Sequence, residues 1–113
     1  MHELSIAMSI VDLAEEYAAK EQAREVRELE IEVGELSGVV IEALDFAMEE
    51  AVRGTICEKA KWKIISVPGE VRCRSCGHLF HADSLFVDCP QCGQAGVELV
   101  RGDEMRLKSL LVE

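Results

Sequence analysis

Residues 73–77 read Cys-Arg-Ser-Cys-Gly, and residues 89–93 read Cys-Pro-Gln-Cys-Gly. Together they form the spacing C-x2-C-x12-C-x2-C on Cys73, Cys76, Cys89 and Cys92. Two residues between cysteines let both thiolates face one ion from a tight turn. The glycine after each pair relieves crowding where backbone amides turn toward sulfur. Four soft thiolates in a tetrahedral set suit Zn²⁺ and leave no open position, which defines a structural site. An iron–sulfur cluster or a single iron is the lesser alternative. A thioredoxin-type redox pair fits less well, because that motif occurs once and on a βαβ unit. His78 and His81 follow the first pair and offer substitute ligands, but four cysteines already complete the set. A stretch with so few apolar residues needs its metal to fold. Residues 70–95 therefore read as an inserted zinc-ribbon module, and the flanking sequence carries the rest of the fold.

Upstream, Trp62, Ile64, Ile65 and Val67 mark a strand over residues 61–67, which Pro68-Gly69 ends. Before it, Ile41, Leu44, Met48 and Ala51 or Val52 share one face of a helix running to about Arg53, with Gly54 as the stop. Ser37 stands where it can cap that helix. Residues 34–38 are a turn with two glycines. Strict alternation from Glu28 to Val33 predicts a half-buried strand over 26–33. The first segment is a helix that starts within residues 3–5 and fades near Ala23, with Ile6, Ile10, Leu13 and Tyr17 as its apolar stripe and Ala7, Ala14 and Ala18 beside them. Downstream, Val97–Arg101 and Met105–Val112 flank Gly102-Asp103 and read as a hairpin. The expected fold is α+β: two helices packed on a small mixed sheet, with the four-cysteine module inserted. Residues 1–69 plus 96–113 would form the α+β domain, and 70–95 the zinc-binding domain.

A length of 113 residues allows such a core and insert and little more. Only Tyr17, Phe46, Trp62, Phe80 and Phe86 are aromatic, so the core must be aliphatic. The formal net charge of −10 disfavours a nucleic-acid backbone as partner. No apolar run is long enough for a membrane span, and no signal-peptide pattern opens the chain, so a cytoplasmic protein is expected. The odd cysteine count in such a setting favours metal or thiol chemistry over disulfides. Cys57, outside the two pairs, reads as a small packed hydrophobe.

Met1-His2-Glu3 is the second place for metal chemistry. The α-amine, the His2 amide and the His2 imidazole, with the Glu3 amide as a fourth nitrogen, suit the planar preference of Ni(II) or Cu(II). A metal displaces the amine proton readily, since that group ordinarily titrates at roughly 7.7–8.0. A histidine at this position is also commonplace in a frayed terminus.

With these pieces in order, the sequence resembles the HypA/HybF family of hydrogenase maturation proteins over nearly its full length. The resemblance rests on Met1-His2-Glu3-Leu4-Ser5, on Gly34-Glu35-Leu36-Ser37-Gly38-Val39 with Glu42-Ala43-Leu44, and on Gly54-Thr55. The two cysteine pairs with their glycines and Gly102-Asp103-Glu104-Met105 through Ser109 complete it. Gln94 departs from the serine common in the family and lies aside from the ligands. The resemblance implies a transferable Ni(II) on Met1, His2 and Glu3, with His2 the principal side chain, and a structural Zn²⁺ on the four cysteines. It implies a metallochaperone without catalytic activity, working with a HypB-type GTPase to supply the large subunit of [NiFe] hydrogenase. Some members also serve urease. A monomer or homodimer, without nucleic acid or membrane, is expected. The competing reading from the residues alone is a zinc-ribbon adaptor with no transferable metal. A small zinc enzyme ranks last, because the four-cysteine set leaves no open position.

Overall fold

Alternation places β1 (Val26–Gly34) at the centre of the larger sheet. Its neighbours are β2 (Lys61–Val67), parallel to it, and β6 (Met105–Val112), antiparallel. The computed structural model describes residues 2–113. Leu29, Ile31 and Val33 point to the buried face of this mixed sheet, while Glu28, Glu30 and Glu32 point away from it. On that outer face Glu28 lies opposite Lys61 and Glu30 opposite Lys63, and Arg106 of β6 pairs with Glu32 at 2.5 Å. Cross-strand pairs of this kind contribute roughly 0.2–1 kcal/mol each, which lets a strand rich in glutamate sit centrally.

Two helices cover the buried face. Helix α1 (Glu3–Lys20) buries Ala7, Ile10, Val11, Ala14 and Ala18. The expected stripe is therefore rotated: of its members only Ile10 is buried, and Leu13 and Tyr17 remain 37% and 48% exposed. The cause is the partner helix. Helix α2 (Ile41–Ala51) packs against α1, and small alanines let two helix axes approach where larger residues would hold them apart. Leu44, Ala47 and Met48 are the buried residues of α2 and join the same core. Trp62 Nε1 donates to Asp45 Oδ1 at 2.7 Å and ties α2 to β2. Ser37 does not cap α2. Its hydroxyl donates to the Gly34 carbonyl at 2.7 Å and accepts from the Val39 amide, so it closes the turn instead. Fully burying Leu29, Ile31, Leu44 or Met48 is worth about 1.5–3 kcal/mol each, and all four are inaccessible.

The remaining strands form a second, antiparallel sheet with β3 (Glu70–Cys73) between β4 (Leu79–His81) and β5 (Val97–Arg101). The hairpin expected at the tail is not formed. Strand β5 pairs with β3 and β6 pairs with β1, so Gly102-Asp103 is a crossing between sheets. Strand β5, grouped by sequence with the α+β domain, thus belongs to the sheet that carries the cysteines. Besides the buried Cys73 and Cys89, the core there consists, among the described residues, of Val71, Ala82 and Val97, too few to hold a sheet by packing alone. The molecule is elongated, 55 × 24 × 16 Å.

Three glycines make the junction. The Gly34 amide donates to the Glu104 carbonyl and the Leu36 amide to the Gly102 carbonyl, each at 2.7 Å. A Cβ on Gly34 would fall 1.9 Å from the Gly102 oxygen, one on Gly69 2.1 Å from the Ala82 oxygen, and one on Gly102 2.5 Å from the Gly69 Cα. Glu35 fastens the same joint from outside: its Oε1 accepts from the Gly69 amide and from His81 Nε2, both at 2.8 Å. The hydrogen bond from His81 chiefly, and then that from Gly69, holds the Glu35 carboxyl below its ordinary pKa.

Gly34→Ala is expected to destabilise the protein by about 3 kcal/mol or more, because backbone must move. Gly38→Ala, at φ +80° with open space around it, should cost only about 1 kcal/mol. Urea unfolding monitored at Trp62 distinguishes the two.

Candidate metal centre

Each Cys-x-x-Cys unit is a tight turn closed by its glycine. The Gly77 amide donates to the Cys73 carbonyl and the Gly93 amide to the Cys89 carbonyl, both at 2.9 Å. Gly77 and Gly93 take φ +78° and +77°, the left-handed region that a side chain disfavours. The first turn sits between β3 and β4, and the second is enclosed by an isolated bridge between Asp88 and Ala95. The two turns bring their cysteines together.

All four sulfurs lie within 4.8 Å of one another. Cys73 Sγ is 3.6 Å from Cys92 Sγ, and Cys76 Sγ is 3.6 Å from Cys89 Sγ. These spacings are far too long for S–S bonds, which measure about 2.05 Å. They match the edge of a tetrahedron around Zn²⁺, about 3.8 Å for Zn–S bonds of about 2.3 Å. Backbone amides point at the sulfurs: Cys76 N–H to Cys73 Sγ at 3.5 Å, and Gln91 and Cys92 N–H to Cys89 Sγ at 3.3 and 3.4 Å. The donor set thus fits a divalent soft cation with every position filled by sulfur.

Among themselves the four thiols hold protons unequally. The Cys76 amide is the leading influence on Cys73 and helps pull it down to about 6. Burial opposes ionisation of Cys89, but the amides of Cys92 and Gln91 outweigh it and lower its pKa. The His78 amide favours the Cys76 thiolate, yet burial and hydrogen bonds with Cys89, Cys92 and Cys73 push this thiol up to about 12. Cys92 is likewise raised, by burial and by Cys73 against the Gln94 amide. Cys73 and Cys89 thus ionise more readily than Cys76 and Cys92, and a bound divalent cation displaces whatever protons remain.

The other sequence candidates fall elsewhere. His78 stacks on Phe80 with ring centroids 5.6 Å apart, and His81 bonds Glu35, so neither joins the sulfur cluster. The Glu35–His81 pair, across 46 positions of sequence, has no signal in spacing or composition. Cys57 lies in the main core, where burial pushes its thiol up to about 11. At the amino terminus, His2 is exposed and extended, immediately before the first turn of α1. The Glu3 carboxylate accepts from the Val40 amide at 3.4 Å, which brings the start of α1 against the start of α2. Met1 lies outside the described residues.

A two-helix α+β unit joined to a closed four-thiolate ribbon defines a small metal-handling protein, not an enzyme with an open metal position. Residues 1–112 match the family described as hydrogenase/urease nickel incorporation, metallochaperone, HypA. The hydrogenase maturation factor HypA of Parabacteroides distasonis is 45% identical over 113 residues, covering 100% of this chain and 98% of the relative. That of Geobacter sulfurreducens is 42% identical with both chains fully covered. The solution structure of the Ni metallochaperone HypA from Helicobacter pylori aligns at TM-score 0.69 and 31% identity, covering 99% of this chain and 97% of that one. The chain belongs to the HypA family, which comprises metallochaperones.

Thiol counting tests the centre. With zinc bound, a disulfide exchange reagent should react slowly with all five cysteines. A chelator should release four at once and leave Cys57 protected until the core unfolds, because burial keeps its thiol protonated near neutral pH.

Proposed function

We propose that this chain is a nickel metallochaperone of hydrogenase maturation. In this reading Met1, His2 and Glu3 hold a transferable Ni(II), and Cys73, Cys76, Cys89 and Cys92 hold a structural Zn²⁺. A HypB-type GTPase assists delivery to the large subunit of [NiFe] hydrogenase, or to urease. The observation that carries it is the full-length family match combined with an exposed His2 that is separate from a closed sulfur site.

The amino-terminal residues and the sulfur centre then have different tasks. The His2 imidazole lies open to solvent, where an incoming ligand displaces it step by step. The Glu3 carboxylate offsets the cation's charge near two helix amino termini, whose dipoles oppose it. The Met1 amine, in a chain with a free Met1, supplies a further nitrogen once it loses its proton. The four thiolates supply no exchangeable position and instead hold the ribbon's shape. Residues 1–69 with the last strand form the nickel unit, and the cysteine stretch with β5 the zinc unit.

A second reading, a ribbon adaptor without transferable metal, draws on Phe86, which stands 97% exposed in the cysteine unit. Nickel titration of untagged, zinc-loaded protein separates the two. The chaperone reading expects one Ni(II) per chain, weakened at least about tenfold in His2→Ala and by added residues before Met1, with zinc retained throughout. Binding should also weaken as pH falls, since protons compete for the same ligands. Equal nickel binding by His2→Ala would sink the assignment of the amino-terminal site.

A further inference from the structure

We propose that the trough between α1 and the outer edge of β6 receives an extended segment of a partner protein, added to the larger sheet as a fourth strand. We further propose that this segment alternates apolar and acidic residues.

The sheet order puts β6 at an edge, paired with β1 on one side and with no strand on the other among the described residues. Such an edge presents a row of main-chain donors and acceptors that an extended chain satisfies. Beside it runs the face of α1 that the rotated packing left outside. Ser5, Ser9 and Leu13 line the trough at the Met105–Leu107 end, and Tyr17 and Lys20 line it at the Leu107–Val112 end. The two cavities, about 430 and 630 Å³, share Leu107 and so form one run. Helix and strand match in length: 18 residues and 8 residues each span roughly 27 Å. The small serines leave room, and Ser9 Oγ already bonds the Ser5 carbonyl at 3.0 Å, so this wall makes little polar demand. Leu13, Tyr17 and Leu107 offer apolar contacts at alternate positions of a docked strand.

Charge selects the occupant. In a chain of net charge −10, Lys20 and Lys108 stand along this trough against Glu21, and Arg106 borders it from the sheet's outer face. Arg106 is engaged by Glu32, while Lys108 is exposed. A strand with acidic residues on one face meets Lys20 and Lys108, and a basic strand is repelled. A second copy of this chain would bring a further Lys108 and Arg106 to the same edge.

Panning a random peptide library against the full zinc-loaded protein tests this. The expected result is enrichment of sequences that alternate apolar and acidic residues. Their binding should fall at least about tenfold in Leu13→Glu and several-fold in Lys108→Glu, and should weaken with salt. Both positions are exposed, so these variants should keep their circular dichroism and zinc content. Phe86→Ala, on the other sheet's unit, should bind as the parent does. Enrichment of basic peptides, no enrichment, or binding indifferent to Leu13→Glu would overturn the proposal. So would a dimer of the chain alone that Leu13→Glu dissociates, since the edge would then be occupied by a second copy.

Discussion

Where Gly34, Gly69 and Gly102 meet, three segments of backbone touch with no space for one side chain between them. Everything else in the molecule is arranged around that constraint. Gly34 ends the central strand, Gly69 separates the last parallel strand from the cysteine unit, and Gly102 stands at the return from β5 to β6. The chain crosses between sheets twice, and both crossings pass through this knot. Main-chain hydrogen bonds hold it from within, and Glu35 holds it from without through Gly69 and His81. A joint made of backbone contact has no rotamers to adjust. Re-orienting the two units would therefore disturb these backbone contacts and not side chains alone.

The two units differ in what stabilises them. The larger has fifteen buried residues contributed by both helices, β1 and the segment after α2, and it stands on aliphatic burial. The smaller has, among the described residues, a core of three aliphatic residues beside the buried Cys73 and Cys89. Its sulfur cluster has to do the work of a core, which is why its turns are set so tightly by glycines at positive φ and by amides aimed at sulfur. The junction then passes the order of the small unit to the end of β1, whose following turn carries Leu36 into the small core. The acidic surplus is spread over solvent faces, and on the outer face of the sheet it is paired with lysine and arginine instead of gathered into a site.

Much of this was legible in the chain because it is encoded at short range. The alternation of Glu28 to Val33 has only one solution as a strand with a buried face, and the paired Cys-x-x-Cys-Gly turns carry their geometry within five residues. What was not legible depends on choices between distant partners. Val97–Arg101 and Met105–Val112 alternate well enough to pair with each other, and nothing local says that one prefers β3 and the other β1. On α1 the pattern shows both the larger apolar residues and the alanines beside them, but not which of the two is buried, and the fold buries Ala7, Ala14 and Ala18 while Leu13 and Tyr17 stay exposed. Ser37 had the chemistry of a cap, but its own turn offered a nearer acceptor. Gly34, Gly69 and Gly102 each looked like a turn residue, and only the fold shows that they are turn residues in contact with one another.

Accepting an ion and releasing it place opposite demands on a site, and one site cannot satisfy both well. Four thiolates fixed by amides and enclosed by two turns leave no position for an incoming ligand, so exchange requires the ribbon to open. An exposed imidazole ahead of a helix carries no such barrier, and under the proposed function the nearby helix amino termini, whose dipoles oppose a cation, weaken its hold. Under the proposed function these properties divide the labour: the sulfur centre stays loaded and the terminal site turns over. The proposed peptide trough fits the same division, because it runs along the helix that begins one residue after His2. A strand docked there would extend the sheet that the glycine knot already anchors, and it would leave the sulfur centre untouched.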